Sequence, residues 1–430
     1  MSRIAVVAAG YVGLTSAACF ADLGNDVCVV DSSEARVLQL RRSKIPFFEP
    51  GLQELVERNA RAGRLRFTVS HAEAIKGVQF CFLCVPTPMS ASGEADLAHV
   101  HQAAVSIAAC MAGELTIVNK STVPMGTGNV VAQLIAANNS RHQVKVVSNP
   151  EFLREGSAVN DFFHPDRIVL GSDDPQAAAE VAKLYDPIQA QLVLTTLNSA
   201  EMIKYASNAF LATRISFINE IARICDLVGA DIDVVARGMG LDPRIGAQYL
   251  AAGVGFGGSC LPKDVHALAA TTERLGGHPL LLRAVLEINA QQRHLMVSKL
   301  AGAVGDLRGK RVALLGLAFK PDTDDLRDAP ALEVARLLLE AGATVRAYDP
   351  AAMPAAHKVL PQVRFAVSPY AAAKGADALC VVSHWNEFKV LDMVRIRGLM
   401  RRPIVVDGRN LYDPQDMRAL GFVHLSFGRN

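Results

Sequence analysis

Residues 3–31 read RIAVVAAGYVGLTSAACFADLGNDVCVVD: a β-rich run, a glycine turn, an apolar helical stretch, and a second β-rich run that ends in an acid. Two strands joined through a helix pair in parallel by a right-handed crossover. Near-continuous apolar strands mark a sheet covered on both faces. The same order returns, altered, as KRVALLGLAFK, APALEVARLLLEAGA and TVRAYD between residues 310 and 349. RFTVS, QFCFLCV, LTIVNK, QVKVVS and RIVLG supply further strand candidates to the first sheet, and ALCVVSHW and RPIVVDGRN to the second. The expected fold class is α/β, with two Rossmann-like doubly wound domains.

Between them the periodicity changes. NSAEMIKYASNAFLATRISFINEIARICDLVGA keeps helical spacing over about 30 residues, a length of ~45 Å. A helix of that length suits a long central connector joining two domains or two subunits. Asn198 is placed to cap it, with Glu201 three residues on. Helical sequence continues to about residue 304. The domain reading is 1–198 for an N-terminal Rossmann-like domain, 199–304 for a helical middle region, and 305–430 for a second Rossmann-like domain.

Composition bounds the partners. With 44 basic and 42 acidic residues the chain is near neutral, which argues against nucleic acid or an anionic membrane as the main partner. No apolar run is long enough to span a bilayer. The first residues share the apolar character of a signal peptide, but a second strand follows where a βαβ unit requires one, so they read as mature structure. Eight cysteines without paired spacing suit reduced thiols and a cytoplasmic location. Cys81 and Cys84 form a C-x-x-C, yet residues three apart on a strand point to opposite faces, so no disulfide is expected there.

The first turn runs Ala8, Ala9, Gly10, Tyr11, Val12, Gly13. The usual dinucleotide fingerprint has a third glycine where Ala8 stands. Gly10 lets backbone approach a pyrophosphate, and Gly13 lets the helix lie close to the strand. Asp31 closes the second strand 18 residues after Gly13, where a carboxylate binds a ribose 2′-hydroxyl and repels a 2′-phosphate. The cofactor expected is NAD. Ala8 calls for an unusual backbone angle or a shifted turn, with weaker NAD binding as the consequence.

A second segment carries chemistry. GVGFGGSCLPKD, Gly253 to Asp264, sets Cys260 among glycines and follows it with Lys263 and Asp264. A core cysteine needs no such surroundings. Glycines let a substrate approach the backbone closely. A nearby cation such as Lys263 favours the thiolate, and Asp264 can act as a base directly or through water. Lys204 and Asn208 lie four apart on the long helix and share a face, where an ammonium and an amide can hold an oxyanion. KSTVPMGT and NPEFLREG read as loops at strand ends, where parallel α/β sheets bind ligands. They offer Thr122, Glu151 and Glu155. Taken alone, each of these groups is equally well read as a loop cap or a solvated helix face.

At these residues the chain resembles the nucleotide-sugar 6-dehydrogenases over nearly its whole length. The resemblance rests on GYVGL, FEPGL, CVPTP, STVP, NPEFLREG, KYASNAFLATRISFINE, GFGGSC-x-PKD and GLAFKPDTDDLRDAP. It implies oxidation of a sugar CH₂OH to a carboxylate by two NAD, without release of the aldehyde. By resemblance Cys260 is the nucleophile, and Lys204 and Asp264 handle protons with a bound water. Lys204 and Asn208 stabilise oxyanions, Glu151 assists thioester hydrolysis, and Thr122 positions water. Gly10, Tyr11, Val12, Gly13, Asp31, Arg36, Thr87, Thr122, Glu155, Lys263 and Arg327 match NAD contacts. Glu151, Phe152, Leu153, Arg154, Glu155, Lys204, Asn208, Tyr249, Leu250, Ala251, Ala252, Gly253, Gly257 and Lys320 match the sugar-nucleotide site. Arg244 matches an arginine sent across a subunit interface, and Arg409 matches one near the nucleotide end. The resemblance further implies a UDP-binding C-terminal domain, a homodimer built on the long helix, and no metal.

Three other readings stay open at this stage. CVPTP, NPEFLREG and PDTDDLRDAP favour UDP-glucose as substrate over GDP-mannose or a UDP-N-acetylhexosamine. A two-electron hydroxyacid dehydrogenase shares the glycine turn and the helix Lys–Asn pair, but has no use for Cys260. A non-catalytic NAD-binding scaffold is supported only by Ala8.

Overall fold

In the computed structural model, which describes residues 1–429, RIAVV forms strand β1 (Arg3–Val7), buried beyond its first residue. Its side chains alternate between two cores. Ile4 and Val6 pack with Leu14 and Phe20 on one side of the sheet; Ala5 and Val7 pack with Ile107 and Ile117 on the other. Full burial of an aliphatic side chain is worth ~1.5–3 kcal/mol, so a one-residue slip here is heavily penalised. The chain divides into two units, Met1–Ser207 and Asn208–Asn430.

The first unit holds an eight-stranded sheet. Its remaining strands are β2 (Asp26–Val30), β3 (Leu65–Thr68), β4 (Phe80–Leu83), β5 (Leu115–Asn119), β6 (Val144–Ser148), β7 (Arg167–Gly171) and β8 (Gln191–Thr195). They lie in the order 3-2-1-4-5-6-7-8. The strand order reverses between β1 and β4, the place where doubly wound sheets open a ligand crevice. Pairing is parallel except between β6 and β7, which meet antiparallel at Ser148 and Gly171. The expected uniform parallel run fails there because the β6–β7 connection carries only a six-residue helix, Ala158–Phe163. Phe162 of that helix packs edge-on against Phe20 instead of crossing the sheet. Strand β8 escapes a reading by hydrophobic pattern because it is a solvent-facing edge, with Leu192 and Leu194 exposed.

The second unit repeats the doubly wound order with six parallel strands: β9 (Arg311–Leu315), β10 (Thr344–Tyr348), β11 (Arg364–Phe365), β12 (Ala378–Val381), β13 (Ile404–Asp407) and β14 (Val423–Leu425), arranged 11-10-9-12-13-14. β11 and β14 are too short to show periodicity. The two turns correspond closely. Ala8 donates its N–H to the Val30 carbonyl at 2.8 Å, and Gly316 donates to that of Tyr348 at 2.9 Å. Both hold positive φ, +79° at Ala8 and +90° at Gly316. The acid after β10, Asp349, is fully buried and accepts the backbone N–H groups of Leu317, Ala318, Ala351 and Ala352 and the indole N–H of Trp385.

One helix, Leu197–Val228, spans 32 residues, about 48 Å. Asn198 lies inside it. The cap is Thr196, whose hydroxyl oxygen accepts the Ser199 N–H at 3.3 Å. Glu201 serves a different helix: its carboxylate accepts the N–H groups of Gly126 (2.6 Å) and Gly128 (2.9 Å) at the start of Thr127–Asn138. Further helices are Ile232–Gly240, Leu261–Arg274 and Leu280–Val304. All eight cysteines are free, and Cys81 and Cys84 enter opposite cores. Among the described residues no helix is long and apolar enough to cross a membrane.

Candidate active site

The glycine turn is built by close approach. A Cβ on Gly13 would strike the Ala8 carbonyl oxygen and stand 3.1 Å from Cβ of Cys84, so helix Tyr11–Asp22 lies directly on β1 and β4 only because Gly13 has no side chain. Gly10, the N-cap residue, faces open space where its Cβ would stand. Backbone N–H groups and the positive end of the helix are thereby presented to an anion. Asp31 is 6% exposed. Its Oδ2 accepts the Ala9 N–H at 2.8 Å, and its Oδ1 accepts the Ser33 N–H at 2.9 Å. Arg36 reaches Oδ2 at 3.1 Å, so this arginine is tied to the acid rather than adrift on the surface. An open glycine, an oriented helix end and a fixed carboxylate fit a dinucleotide with free ribose hydroxyls. Val12 packs half-buried on the core, and the buried Thr87 donates its hydroxyl to the Thr122 carbonyl at 2.8 Å, joining the CVPTP and STVP loops.

The first chemical cluster lies at the end of β6. Glu151 and Lys204 are both buried and pair at 3.2 Å. Glu151 also accepts the Leu153 N–H at 2.6 Å, which curls the NPEFLREG loop back on itself. The Phe152 ring lies 3.8 Å from the Arg167 guanidinium and 5.1 Å from the Lys204 ammonium, measured to its centroid. Leu153 packs on the core, Glu155 is half-buried, and Arg154 is exposed and pairs with Asp161 at 2.6 Å.

Three residues to which the sequence reading gave no part in the site hold this loop and its neighbours. Glu49, in the FEPGL segment, is buried. It accepts the Gly156 N–H at 2.6 Å, the Ala158 N–H at 2.7 Å and a hydrogen bond from the Tyr11 hydroxyl. The glycine turn is thus stapled to the far end of NPEFLREG. Lys120 reaches Asn149, and Glu201 caps the helix that follows STVP. The only local signals were a polar residue inside an otherwise apolar or glycine-rich segment.

The second cluster is organised by the glycines before helix Leu261–Arg274. Gly255 and Gly258 hold φ near +90°, where a side chain is disfavoured. A Cβ on Gly258 would run into the Phe319 ring, and one on Gly257 into the Asp328 carbonyl. Gly258 donates its N–H to the Arg327 carbonyl at 3.0 Å, while the Arg327 side chain pairs with Asp325. Cys260 is the half-buried N-cap residue, with Ser259 Oγ 3.5 Å from its sulfur. Asp264 closes the first helical turn by donating its N–H to the Cys260 carbonyl. Its side chain is fully buried. Asn208 donates to Oδ2 at 2.6 Å, and the Lys263 ammonium sits on Oδ1 at 2.5 Å. The lysine thus pairs with Asp264.

Other expected residues surround this segment within the same unit. Tyr249 is held at φ +62°, a strained value for a side-chain-bearing residue, and opens the run Leu250, Ala251, Ala252, Gly253. Gly253 donates to Asn219 Oδ1 at 2.8 Å and lies too close to the Gly408 carbonyl to carry a side chain. Arg409 donates to the carbonyls of Val382 (2.7 Å) and Gly255 (3.1 Å), and burial lowers it to about 10. The Lys320 ammonium lies 5.7 Å from the Phe319 centroid. Arg244 is exposed and paired with Asp242. Among the described residues no group of three or more His, Cys, Asp or Glu is placed to hold a metal ion.

Comparison with known proteins places this arrangement. The chain is 47% identical to the UDP-glucose 6-dehydrogenase TuaD of Bacillus subtilis (strain 168), covering 100% of this chain and 94% of that one. It is 46% identical to a UDP-glucose 6-dehydrogenase of Rhizobium meliloti (strain 1021), over 99% of both. A solved UDP-glucose dehydrogenase from the hyperthermophilic archaeon Pyrobaculum islandicum superposes with TM-score 0.93 at 39% identity, covering 99% of this chain and 97% of that one. Family models match residues 2–189 as an NAD-binding domain, 198–291 as a central domain and 313–414 as a UDP-binding domain. The chain belongs to the UDP-glucose/GDP-mannose dehydrogenase family.

Proposed function

We propose that this protein oxidises the 6-hydroxymethyl group of UDP-glucose to a carboxylate, and that Cys260 holds the sugar between the two oxidations. The observation that carries the reading is a thiol at the amino end of a helix, one turn from a buried carboxylate held on both oxygens. Bound NAD supplies a two-electron oxidant for each half, so two are used per sugar. Oxidising an alcohol to an aldehyde needs no nucleophile; retaining the aldehyde does. The thiolate adds to the aldehyde carbon, a C–S bond forms, and the former carbonyl oxygen takes up a proton to give a thiohemiacetal. Loss of the carbon-bound hydrogen as hydride and of the hydroxyl proton then leaves a thioester. Water then cleaves the C–S bond, releasing the carboxylate and returning the thiol.

The named side chains divide the work. Lys204 and Asp264 move protons with a water, and Lys204 and Asn208 donate to the oxyanions. Glu151 assists hydrolysis of the thioester, with Thr122 positioning water. Preorganised donors in a buried setting are worth several kcal/mol to such charge development, commonly ~3 each. Gly10, Tyr11, Val12, Gly13, Asp31, Arg36, Thr87, Thr122, Glu155, Lys263 and Arg327 are assigned to NAD. The segment Glu151–Glu155, the run Tyr249–Gly253, Gly257, Lys320, Arg244 and Arg409 are assigned to the UDP-sugar.

The same reading includes a homodimer and a cytoplasmic setting. Phe210, Phe217 and Ile224 recur every seven residues and are exposed, which leaves an apolar stripe on the long helix for a second copy to cover. Eight free thiols suit a reducing compartment.

The test is the NADH yield with limiting UDP-glucose and excess NAD. Two NADH per sugar are expected, and Cys260→Ala abolishes the second oxidation. A yield of one would replace this reading with a simple alcohol dehydrogenase.

A further inference from the structure

Lys120 follows β5 and is 4% exposed. Its ammonium donates to two neutral groups, Asn149 Oδ1 at 3.1 Å and the Tyr185 hydroxyl at 3.3 Å, and forms no ion pair among the described residues. A buried charge without a counter-ion is expensive, and methionine would fill the same space at less cost. Burial accordingly lowers Lys120 from the ordinary lysine range to about 8.

Its partners lead to the first chemical cluster. The Tyr185 hydroxyl donates to the same Asn149 oxygen at 2.5 Å. Asn149 gives its side-chain N–H to the Val169 carbonyl (3.0 Å) and its backbone N–H to that of Asn119 (2.8 Å). It is therefore pinned to the end of β5 and the middle of β7, two residues before Glu151. The titratable groups facing Lys120 are Cys19 of helix Tyr11–Asp22, Cys84 after β4, Tyr185, Glu151 and Lys204. Burial pushes the thiols and the phenol up, Cys84 to about 12, so these three are neutral at working pH. That leaves Glu151 as the anion and Lys204 as the cation in its field.

We propose that Lys120 is a positioning residue for the reaction, a buried cation that fixes the Asn149–Glu151 turn and biases the charge of the Glu151–Lys204 pair. This rests on the assignment of Glu151 and Lys204 to proton handling above. Removing a neighbouring positive charge makes both a carboxyl and an ammonium hold their protons to higher pH.

The experiment is the pH profile of kcat for wild type and Lys120→Met with UDP-glucose and NAD. In the variant the profile moves to higher pH by about one unit, kcat at neutral pH falls about tenfold, and KM changes less than about threefold. Its melting temperature equals or exceeds that of wild type. A purely structural lysine would lower the melting temperature and leave the profile in place. Lys120→Gln, which keeps a donor toward Asn149 without the charge, gives the same displacement. A wild-type profile in whichever variant is soluble overturns the proposal. A wild type that makes no NADH from UDP-glucose overturns the functional reading and this proposal together; an active wild type with an unmoved variant profile overturns only this one.

Discussion

The Ala8 carbonyl oxygen occupies the space where a side chain on Gly13 would begin. Ala8 itself sits at φ +79°, a region that costs a residue with Cβ ~1–2 kcal/mol. The strain is the cost of replacing the first glycine of the fingerprint while keeping the turn. Ala8→Gly relieves it against the larger chain entropy of glycine, for a net gain of up to about 1 kcal/mol. NAD binding measured by calorimetry tightens by about two- to fivefold; an unchanged dissociation constant would show that Ala8 is strained without consequence. Gly13→Ala has no such relief and loses NAD binding.

Lys204 and Glu151 form a buried pair, and breaking one side strands the other. Lys204→Ala destabilises the protein by about 3 kcal/mol in urea unfolding and lowers kcat at least a hundredfold. Replacing both by apolar residues, Lys204→Met with Glu151→Leu, restores much of the stability and none of the turnover. If the double variant is as unstable as the single, the pair is stabilising in its own right.

Much of this architecture was legible in the residues. Strand β1 reads as a strand because both of its faces are apolar, and Gly10, Gly13 and Asp31 stand at fixed spacing from it. Cys260 announces itself by its glycines. What stayed hidden are contacts between segments far apart in sequence. Glu49 meets Gly156 across 107 residues, and Glu201 meets Gly128 across 73, so neither pairing leaves a local pattern. Glu201 even misleads, since its spacing from Asn198 imitates a capping box for its own helix. Lys263 is a subtler case. Its place beside Cys260 suggests help for the thiol, and nothing local announces that its ammonium also meets the adjacent carboxylate.

Asp264 is fully buried between Asn208 and Lys263. Asp264→Asn removes the charge and keeps a single acceptor, which can serve the Lys263 ammonium or the Asn208 amide but not both. The expected result is a loss in kcat of about a hundredfold or more with a smaller change in KM for UDP-glucose. Asn208→Asp, which sets two carboxyls against each other, is equally damaging at neutral pH and recovers partly in acid, as one of them takes up a proton.

Glu201 gives a stability signature. Burial raises its carboxyl to about 7, against the opposing pull of the backbone N–H groups it accepts. Between the ordinary glutamate range and pH ~7 the folded chain therefore binds a proton that the unfolded chain has released. The contribution is fully present in acid and is lost as pH rises through about 7, amounting to ~3 kcal/mol. Glu201→Gln flattens that slope in a series of melting curves. If the slope survives the substitution, another group is responsible.

Asp349 stands in the second sheet where Asp31 stands in the first, yet its carboxylate is already satisfied by five donors of its own unit. The duplicate turn has become a rivet: its acid is spent on its own backbone and on Trp385, so it offers no free carboxylate for a ribose of NAD. A protein with two copies of the same nucleotide-binding plan then saturates with NAD at one molecule per chain. Freeing Asp349, for instance by Trp385→Phe, loosens the sheet rather than opening a second place for the cofactor.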